Sequence, residues 1–159
     1  MLAPLLATLA LTGVHDADLN ALFAHALPRV KTRTKIAVLL PEAMPTDIDP
    51  LYPDSFATRR GYELDLGGVP DCGGATACFE AEFSGLKGGT PFGMRRVSLA
   101  RGRHGRFKPL TCGASCSPPS VSWKERGATY TIQANVGNRR TERRILVRMA
   151  NEAIRRGPR

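Results

Sequence analysis

Residues 112–136 read CGASCSPPSVSWKERGATYTIQANV, and this stretch decides the fold class. After the paired Cys112 and Cys116 and the Pro118-Pro119 step, apolar and polar residues alternate through Val121-Ser122-Trp123. They alternate again through Tyr130-Thr131-Ile132-Gln133-Ala134, which is how half-buried antiparallel strands are written. Lys124-Glu125-Arg126-Gly127 forms the turn between them, and Gly127 supplies the positive φ that a tight hairpin needs. The only tryptophan of the chain, Trp123, lies on one arm and Tyr130 on the other. The hairpin is therefore expected to anchor the core.

Outward from the hairpin, Ile145, Leu146, Met149, Ala150, Ala153 and Ile154 share one face of a helix expected over residues 141–156. Asn138 or Thr141 caps its start, and Gly157-Pro158 ends it. On the other side of the hairpin, Val97 and Leu99 mark a basic strand. Residues 101–106, RGRHGR, read as a tight basic turn leading into Phe107, and residues 85–93, GLKGGTPFG, as a flexible connection. Tyr62, Leu64 and Leu66 alternate with Glu63 and Asp65, as Phe79, Ala81 and Phe83 do with Glu80 and Glu82. Both strands thus have one buried face and one acidic, wet face.

Nearer the N-terminus, Leu19, Leu22, Phe23, Ala26 and Leu27 form a helical stripe over residues 16–27, capped by Asp16 or Asp18 and closed by Pro28. Residues 36–40 read as an apolar strand. Pro41, Pro45, Pro50 and Pro53 then punctuate an irregular connection. The expected fold is α+β, an antiparallel sheet of about five or six strands with N- and C-terminal helices packed on one face. A chain of 159 residues that is 42% hydrophobic has enough apolar matter for one core. Residues 16–159 are expected to form that α+β domain, preceded over residues 1–15 by a signal-peptide-like segment with the apolar run MLAPLLATLALT. No apolar run reaches the roughly 18 residues of a membrane span.

Charge is distributed unevenly. Residues 1–90 hold 7 Lys and Arg against 11 Asp and Glu, a net of −4, while residues 91–159 hold 16 against 3, a net of +13. A basic half of this kind attracts nucleic acid, anionic lipid or an acidic cell-wall polymer. Composition alone offers a blander account, since arginine-rich chains heavy in Ala, Gly and Pro are common where genomes are GC-rich. The candidate polyanion-binding residues are Arg95, Arg96, Arg101, Arg103, Arg106 and Lys108, followed by Arg139, Arg140, Arg143 and Arg144. Interleaved stacking aromatics, which single-strand binders use, are sparse among them.

The four cysteines, Cys72, Cys78, Cys112 and Cys116, fall in a C-x5-C and a C-x3-C interval. An even count after a signal-like segment reads as two disulfides in an oxidising compartment. Of the three possible connectivities, glycines within both intervals favour the local pairs Cys72–Cys78 and Cys112–Cys116. Such short loops remove little unfolded-state entropy, on the order of 2 kcal/mol each, so their expected role is to shape loops beside the sheet. The rival is a zinc site of four thiolates, against which stands an interval of five residues where zinc knuckles use two to four.

Other candidate chemistry is thin. His104 sits among arginines with no carboxylate or nucleophile proposed for it, so an exposed turn residue is the simpler reading. Asp47, Asp49 and Asp54 lack the glycine and distal glutamate of a calcium loop. The 85–93 glycines fit neither G-x-x-x-x-G-K-[ST] nor G-x-G-x-x-G, which leaves phosphate cradling unsupported.

Several of these residues together resemble a family. They are Leu39-Leu40-Pro41 with Met44-Pro45, the cysteine pairs around Ala77-Cys78 and Cys112-Gly113-Ala114-Ser115-Cys116, then Trp123, Gly127, Tyr130 and Met149-Ala150-Asn151 with Ala153-Ile154. Over residues 20–156 the chain resembles uncharacterised bacterial exported proteins of cyanobacterial type. The W-x-x-x-G-x-x-Y segment and the following helix are also similar to a domain of unknown function in bacterial envelope and anti-sigma-type proteins. The resemblance implies export and a disulfide-bearing domain, and it brings no catalytic residue.

The sequence thus points to a secreted, periplasmic or cell-envelope domain without cofactor or metal. Its expected role is a non-catalytic binding or structural module with an anionic polymer or envelope protein as partner. Polyanion binding through the basic half is one alternative. A small secreted enzyme whose site is invisible in sequence is the other.

Overall fold

The computed structural model describes residues 13–159, so most of the signal-like segment expected over residues 1–15 lies outside the described residues. Among the described residues, eleven strands and three α-helices follow one another. Seven strands form one antiparallel sheet: β3 (Tyr52–Thr58), β4 (Gly61–Gly67), β5 (Phe79–Lys87), β6 (Arg95–Ser98), β7 (His104–Lys108), β10 (Ser120–Glu125) and β11 (Ala128–Ala134). Their spatial order is β3-β4-β5-β11-β10-β7-β6. Two small ribbons flank it, β1 (His15–Asp18) with β2 (Ala43–Thr46), and β8 (Thr111–Cys112) with β9 (Cys116–Ser117).

The β10–β11 hairpin forms as its alternation requires, with Trp123 opposite Tyr130 and Glu125 opposite Ala128. Its two turn residues, Arg126 and Gly127, both have positive φ, 49° and 76°. That is the backbone twist a two-residue hairpin loop needs. Cross-strand register then places Ala57, Tyr62, Gly85, Tyr130, Trp123, Gly105 and Val97 in one row across all seven strands. The row works because glycines flank its aromatic rings, Gly85 between Tyr62 and Tyr130 and Gly105 beside Trp123. A Cβ on Gly85 would stand 2.7 Å from the Tyr62 ring and 3.0 Å from the Tyr130 ring. Trp123 and Tyr130 stack with ring centroids 5.7 Å apart.

Helix α3 (Glu142–Arg156) covers this face with Leu146, Met149, Ala150, Ala153 and Ile154. It stops at Gly157, whose φ of 74° only glycine adopts without strain. Its apolar stripe and the aromatic row make one continuous core with Leu64, Leu66, Phe83 and Ile132.

The sheet has more strands than expected. Two strands lie where the pattern predicts none. β3 falls in the proline-rich connection, where Pro53 is tolerated because β3 is an edge strand. β7 takes residues 104–106 out of the expected basic turn, because pairing with β6 and β10 extends them. Nor does a helix run over residues 16–27. Pairing with β2 draws residues 15–18 into β1. Asp18 then caps only the single turn α1 (Leu19–Leu22), accepting hydrogen bonds from the Asn20 and Ala21 amides. Pro28 opens the short helix α2 (Leu27–Arg33) instead of closing one, a position where its missing N–H costs nothing. Residues 36–40 are not a strand either, although Val38, Leu39 and Leu40 are buried.

That last segment explains how the sheet face is closed. The Tyr62 hydroxyl donates to the Leu39 carbonyl and accepts from the Leu39 amide, both at 2.9 Å. The Tyr130 hydroxyl donates to the Ala37 carbonyl at 3.0 Å. From the C-terminus, the Arg159 amide donates to the Val38 carbonyl and its guanidinium to that of Leu40. Side chains thus do for residues 37–40 what a neighbouring strand would otherwise do. Burial, partly offset by the Leu39 hydrogen bond, pushes the Tyr62 hydroxyl far above its ordinary pKa, so it stays a donor at all working pH values. Tyr62→Phe strands a buried amide and carbonyl at Leu39, and is expected to cost about 1–3 kcal/mol in urea unfolding. A loss within error of zero would show that the tyrosine clamp is not what holds this segment.

Candidate functional site

Among the described residues no helix lies on the opposite face of the sheet, and the sequence alternation writes that face in three zones. Asp54, Glu63, Asp65 and Glu82 lie on β3 to β5, Thr129, Thr131 and Gln133 on the central β11, and Arg96, Arg106 and Lys108 on β6 and β7. Two segments lie over the middle zone. The Ser122 hydroxyl holds the Phe92 main chain at 2.8 and 2.9 Å, the Thr129 hydroxyl donates to the Gly88 carbonyl, and the Gln133 amide donates to the Pro118 carbonyl. Hydroxyl and amide side chains are therefore what seats both loops on the sheet.

Beside these loops the acidic zone becomes a trough of about 730 Å³. Both disulfide loops wall it, through Cys72-Gly73-Gly74 on one side and Ser115-Cys116-Ser117 on the other. The disulfides are Cys72–Cys78 and Cys112–Cys116, the local pairing expected, with no free cysteine left to ligate zinc. Asp54, Glu63, Asp65, Asp71 and Glu82 line the trough together with Tyr52, Phe56 and Phe79, and no lining residue is basic. Phe56 is 63% exposed, an unusual position for a large apolar ring in this chain.

Register makes the acidic cluster. Asp65 pairs with Asp54 on one side and Glu82 on the other, so one line across three strands holds three carboxylates. Glu63, Asp65 and Glu82 each place an oxygen within 4.8 Å of the others. They are the residues that could hold a divalent cation, although carboxylates gather at this spacing without one. Asp65 is pushed up to about 7, first by burial and then by the Glu63, Glu82 and Asp54 charges around it. Burial likewise raises Glu82, partly opposed by its Ser84 hydrogen bond, and raises Glu80 next to Asp47.

The predicted basic residues do not form one surface. Arg95, Arg139, Arg140, Arg143 and Arg144 gather around a second hollow of about 690 Å³, where the β7–β8 connection meets the start of α3. Its only acid, Glu142, is buried and accepts from the Leu110 amide. Arg96, Arg106 and Lys108 lie on the open sheet face, where Lys108 donates to the Ser117 hydroxyl at 2.8 Å. Arg103 is bound in an ion pair with the buried Glu125 at 2.6 Å. Arg101 donates to the Arg155 carbonyl. Both serve structure at the far end of the sheet, and His104 is an exposed residue at the start of β7.

Sequence reading missed the trough. Its signal was present as the acidic outer positions of β4 and β5, yet only the pairing of Asp65 with Glu82 turns two wet faces into one site. Asp54 enters through β3, the strand that the prolines concealed.

No family model matches this chain, no curated protein matches it, and no solved structure matches it. The site is therefore defined by its geometry.

Asp65 also sets a pH signature. Its pKa is raised on folding, so the native state holds a proton that the unfolded chain has released. That stabilisation is complete below the ordinary aspartate range and is lost as pH rises through about 7. Asp65→Asn, which mimics the protonated form, should leave the melting temperature near wild type at pH 4 and raise it above wild type at pH 8. Parallel pH profiles for the two proteins would refute the assignment.

Proposed function

We propose that the chain is an exported, non-catalytic binding module that selects its partner by charge, with the acidic trough as its principal site. The observation that carries this reading is the sorting of charge in a basic protein. Five carboxylates face one aromatic-walled trough with no lining cation, while five arginines surround a separate hollow. Uncompensated carboxylates favour a cationic partner, and exposed Tyr52 and Phe56 offer ring faces to its ammonium or guanidinium groups. Export is supported by two disulfides, which persist in oxidising compartments. No helix among the described residues is long and apolar enough to cross a membrane. The resemblance to exported bacterial proteins supports the same secreted, periplasmic or envelope location.

A second reading rests on the arginine hollow. Arg95, Arg139, Arg140, Arg143 and Arg144 stand where an acidic cell-wall polymer, anionic lipid or nucleic acid would meet them. The helix macrodipole adds to the attraction, since the hollow opens at the N-terminal end of α3.

Fluorescence anisotropy with labelled oligolysine and labelled heparin fragments separates the two sites. Oligolysine is expected to bind in low salt, to weaken about tenfold or more in Glu63→Gln/Glu82→Gln, and to be unaffected by Arg143→Gln/Arg144→Gln. Its affinity should rise with pH through about 7 as Asp65 deprotonates. Heparin should show the opposite mutational pattern. Indifference of oligolysine to the glutamate changes would overturn the trough reading. Turnover of a glycosidic or ester probe that disappears in the same variant would replace binding by catalysis.

A further inference from the structure

Along the β4–β5 ladder the helix-free face changes character in two steps. Asp65 pairs with Glu82, Glu63 with Ser84, and Gly61 with Leu86, so two carboxylates give way to one and then to an apolar side chain. At the apolar end lies a groove of about 360 Å³. Its strands contribute the small residues Gly61, Ser84, Thr129 and Thr131, while Phe56, Leu86 and Phe92 line it as large, exposed apolar side chains. Exposed apolar side chains gathered on one groove mark a place where something apolar is received. The groove is also set in advance, because the Ser122 and Thr129 hydroxyls hold the loop that carries Phe92, at Phe92 itself and at Gly88.

Groove and trough adjoin. Phe56 and Glu63 line both, and no described residue lining either is basic. We propose that the occupant is an extended basic peptide with a large apolar side chain two residues from its first lysine or arginine, the apolar side chain lying in the groove and the cations in the trough. The inference rests on the trough reading above and names its partner. Same-face positions on a strand recur about every 6.6 Å, which is also the spacing of alternate side chains on an extended peptide. Side chains i and i+2 of such a peptide therefore match successive pairs of the ladder. Charge fixes the direction, since carboxylates await a cation only at the trough end. A peptide of lysine alone would leave Leu86 and Phe92 uncovered, and a wholly apolar one would leave Asp54, Asp65 and Glu82 without counter-charge.

Fluorescence anisotropy with two labelled peptides of equal charge tests this on the full disulfide-bonded chain. One is Gly-Gly-Lys-Gly-Lys-Gly-Lys and the other Phe-Gly-Lys-Gly-Lys-Gly-Lys, both acetylated at the N-terminus and labelled at the C-terminus. The phenylalanine peptide is expected to bind wild type about tenfold tighter in low salt, the gain of burying most of one ring. Leu86→Ser/Phe92→Ser changes groove side chains that lie outside the trough. It should bring the two peptides within about twofold of each other and leave the affinity of the glycine peptide unchanged. Glu63→Gln/Glu82→Gln should weaken both peptides. Circular dichroism melts confirm that each variant is folded, and Leu86→Ser alone replaces the double change if that one is not.

Equal affinity of the two peptides for wild type overturns the proposal, and so does a phenylalanine advantage that survives Leu86→Ser/Phe92→Ser. If the phenylalanine peptide with acetylated lysines binds as tightly as the charged one, the groove takes apolar ligands independently of the trough, which overturns it too. A wild type that is dimeric in light scattering and monomeric in Leu86→Ser/Phe92→Ser would make a second copy the occupant instead. The glycine peptide keeps the two readings apart. Its binding with no gain from phenylalanine would leave the trough standing and remove only the groove, whereas failure of both peptides would remove the trough reading as well.

Discussion

Two tyrosine hydroxyls on the main chain of residues 37–39 are the contacts on which the rest of the structure depends. Tyr62 and Tyr130 flank Gly85 in the cross-strand row, and their rings reach over it to bind the Leu39 and Ala37 backbone. A segment with buried amides and carbonyls needs partners, and the face of a sheet has no free ladder to offer it. The hydroxyls solve this without adding a strand. They also require glycine at position 85, where any Cβ would meet both rings and Ile36. Packing, hydrogen bonding and backbone choice are thus one constraint at this point.

With that face closed by residues 36–40 and by α3, the other face of the sheet is left to the alternate side chains. Threonine, serine and glutamine on the central strands seat two loops, and the loops divide what would be a flat charged surface. Acidic strands then border a walled trough, and basic residues are left on the far strands and around the start of α3. The disulfides shape the trough walls rather than cross-linking distant elements, as their short loops require. Raised carboxyl pKa values at Asp65 and Glu82 follow from burial and from crowding against like charge. The trough carries a standing electrostatic cost, which a cationic partner would relieve.

Legibility in the sequence followed the range of the physics involved. The β10–β11 hairpin, β4, β5 and α3 were readable because period and turn chemistry are local. The two disulfides were readable because short intervals restrict the pairing. The N-terminal third was misread where tertiary partners overrode local pattern. Residues 16–18 were captured by β2, Pro28 began a helix, and residues 36–40 found tyrosine hydroxyls in place of a strand. The arginines were visible as a list, but their partition was not. Arg101 and Arg103 are bound to carbonyl and carboxylate partners, and only five of the ten named cations meet in one hollow.

What the sequence by itself determined is the α+β class, the antiparallel hairpin at its centre, the closing helix, the local cysteine pairs and the charge imbalance between the two halves. Each is a property of neighbours along the chain. What only the tertiary structure decided is which charges face one another. Asp54, Asp65 and Glu82 come from three separate segments and become a cluster through strand register, in which a slip of one residue would turn every side chain to the opposite face. The functional reading moves accordingly, from a list of arginines to an acidic trough and a separate basic hollow.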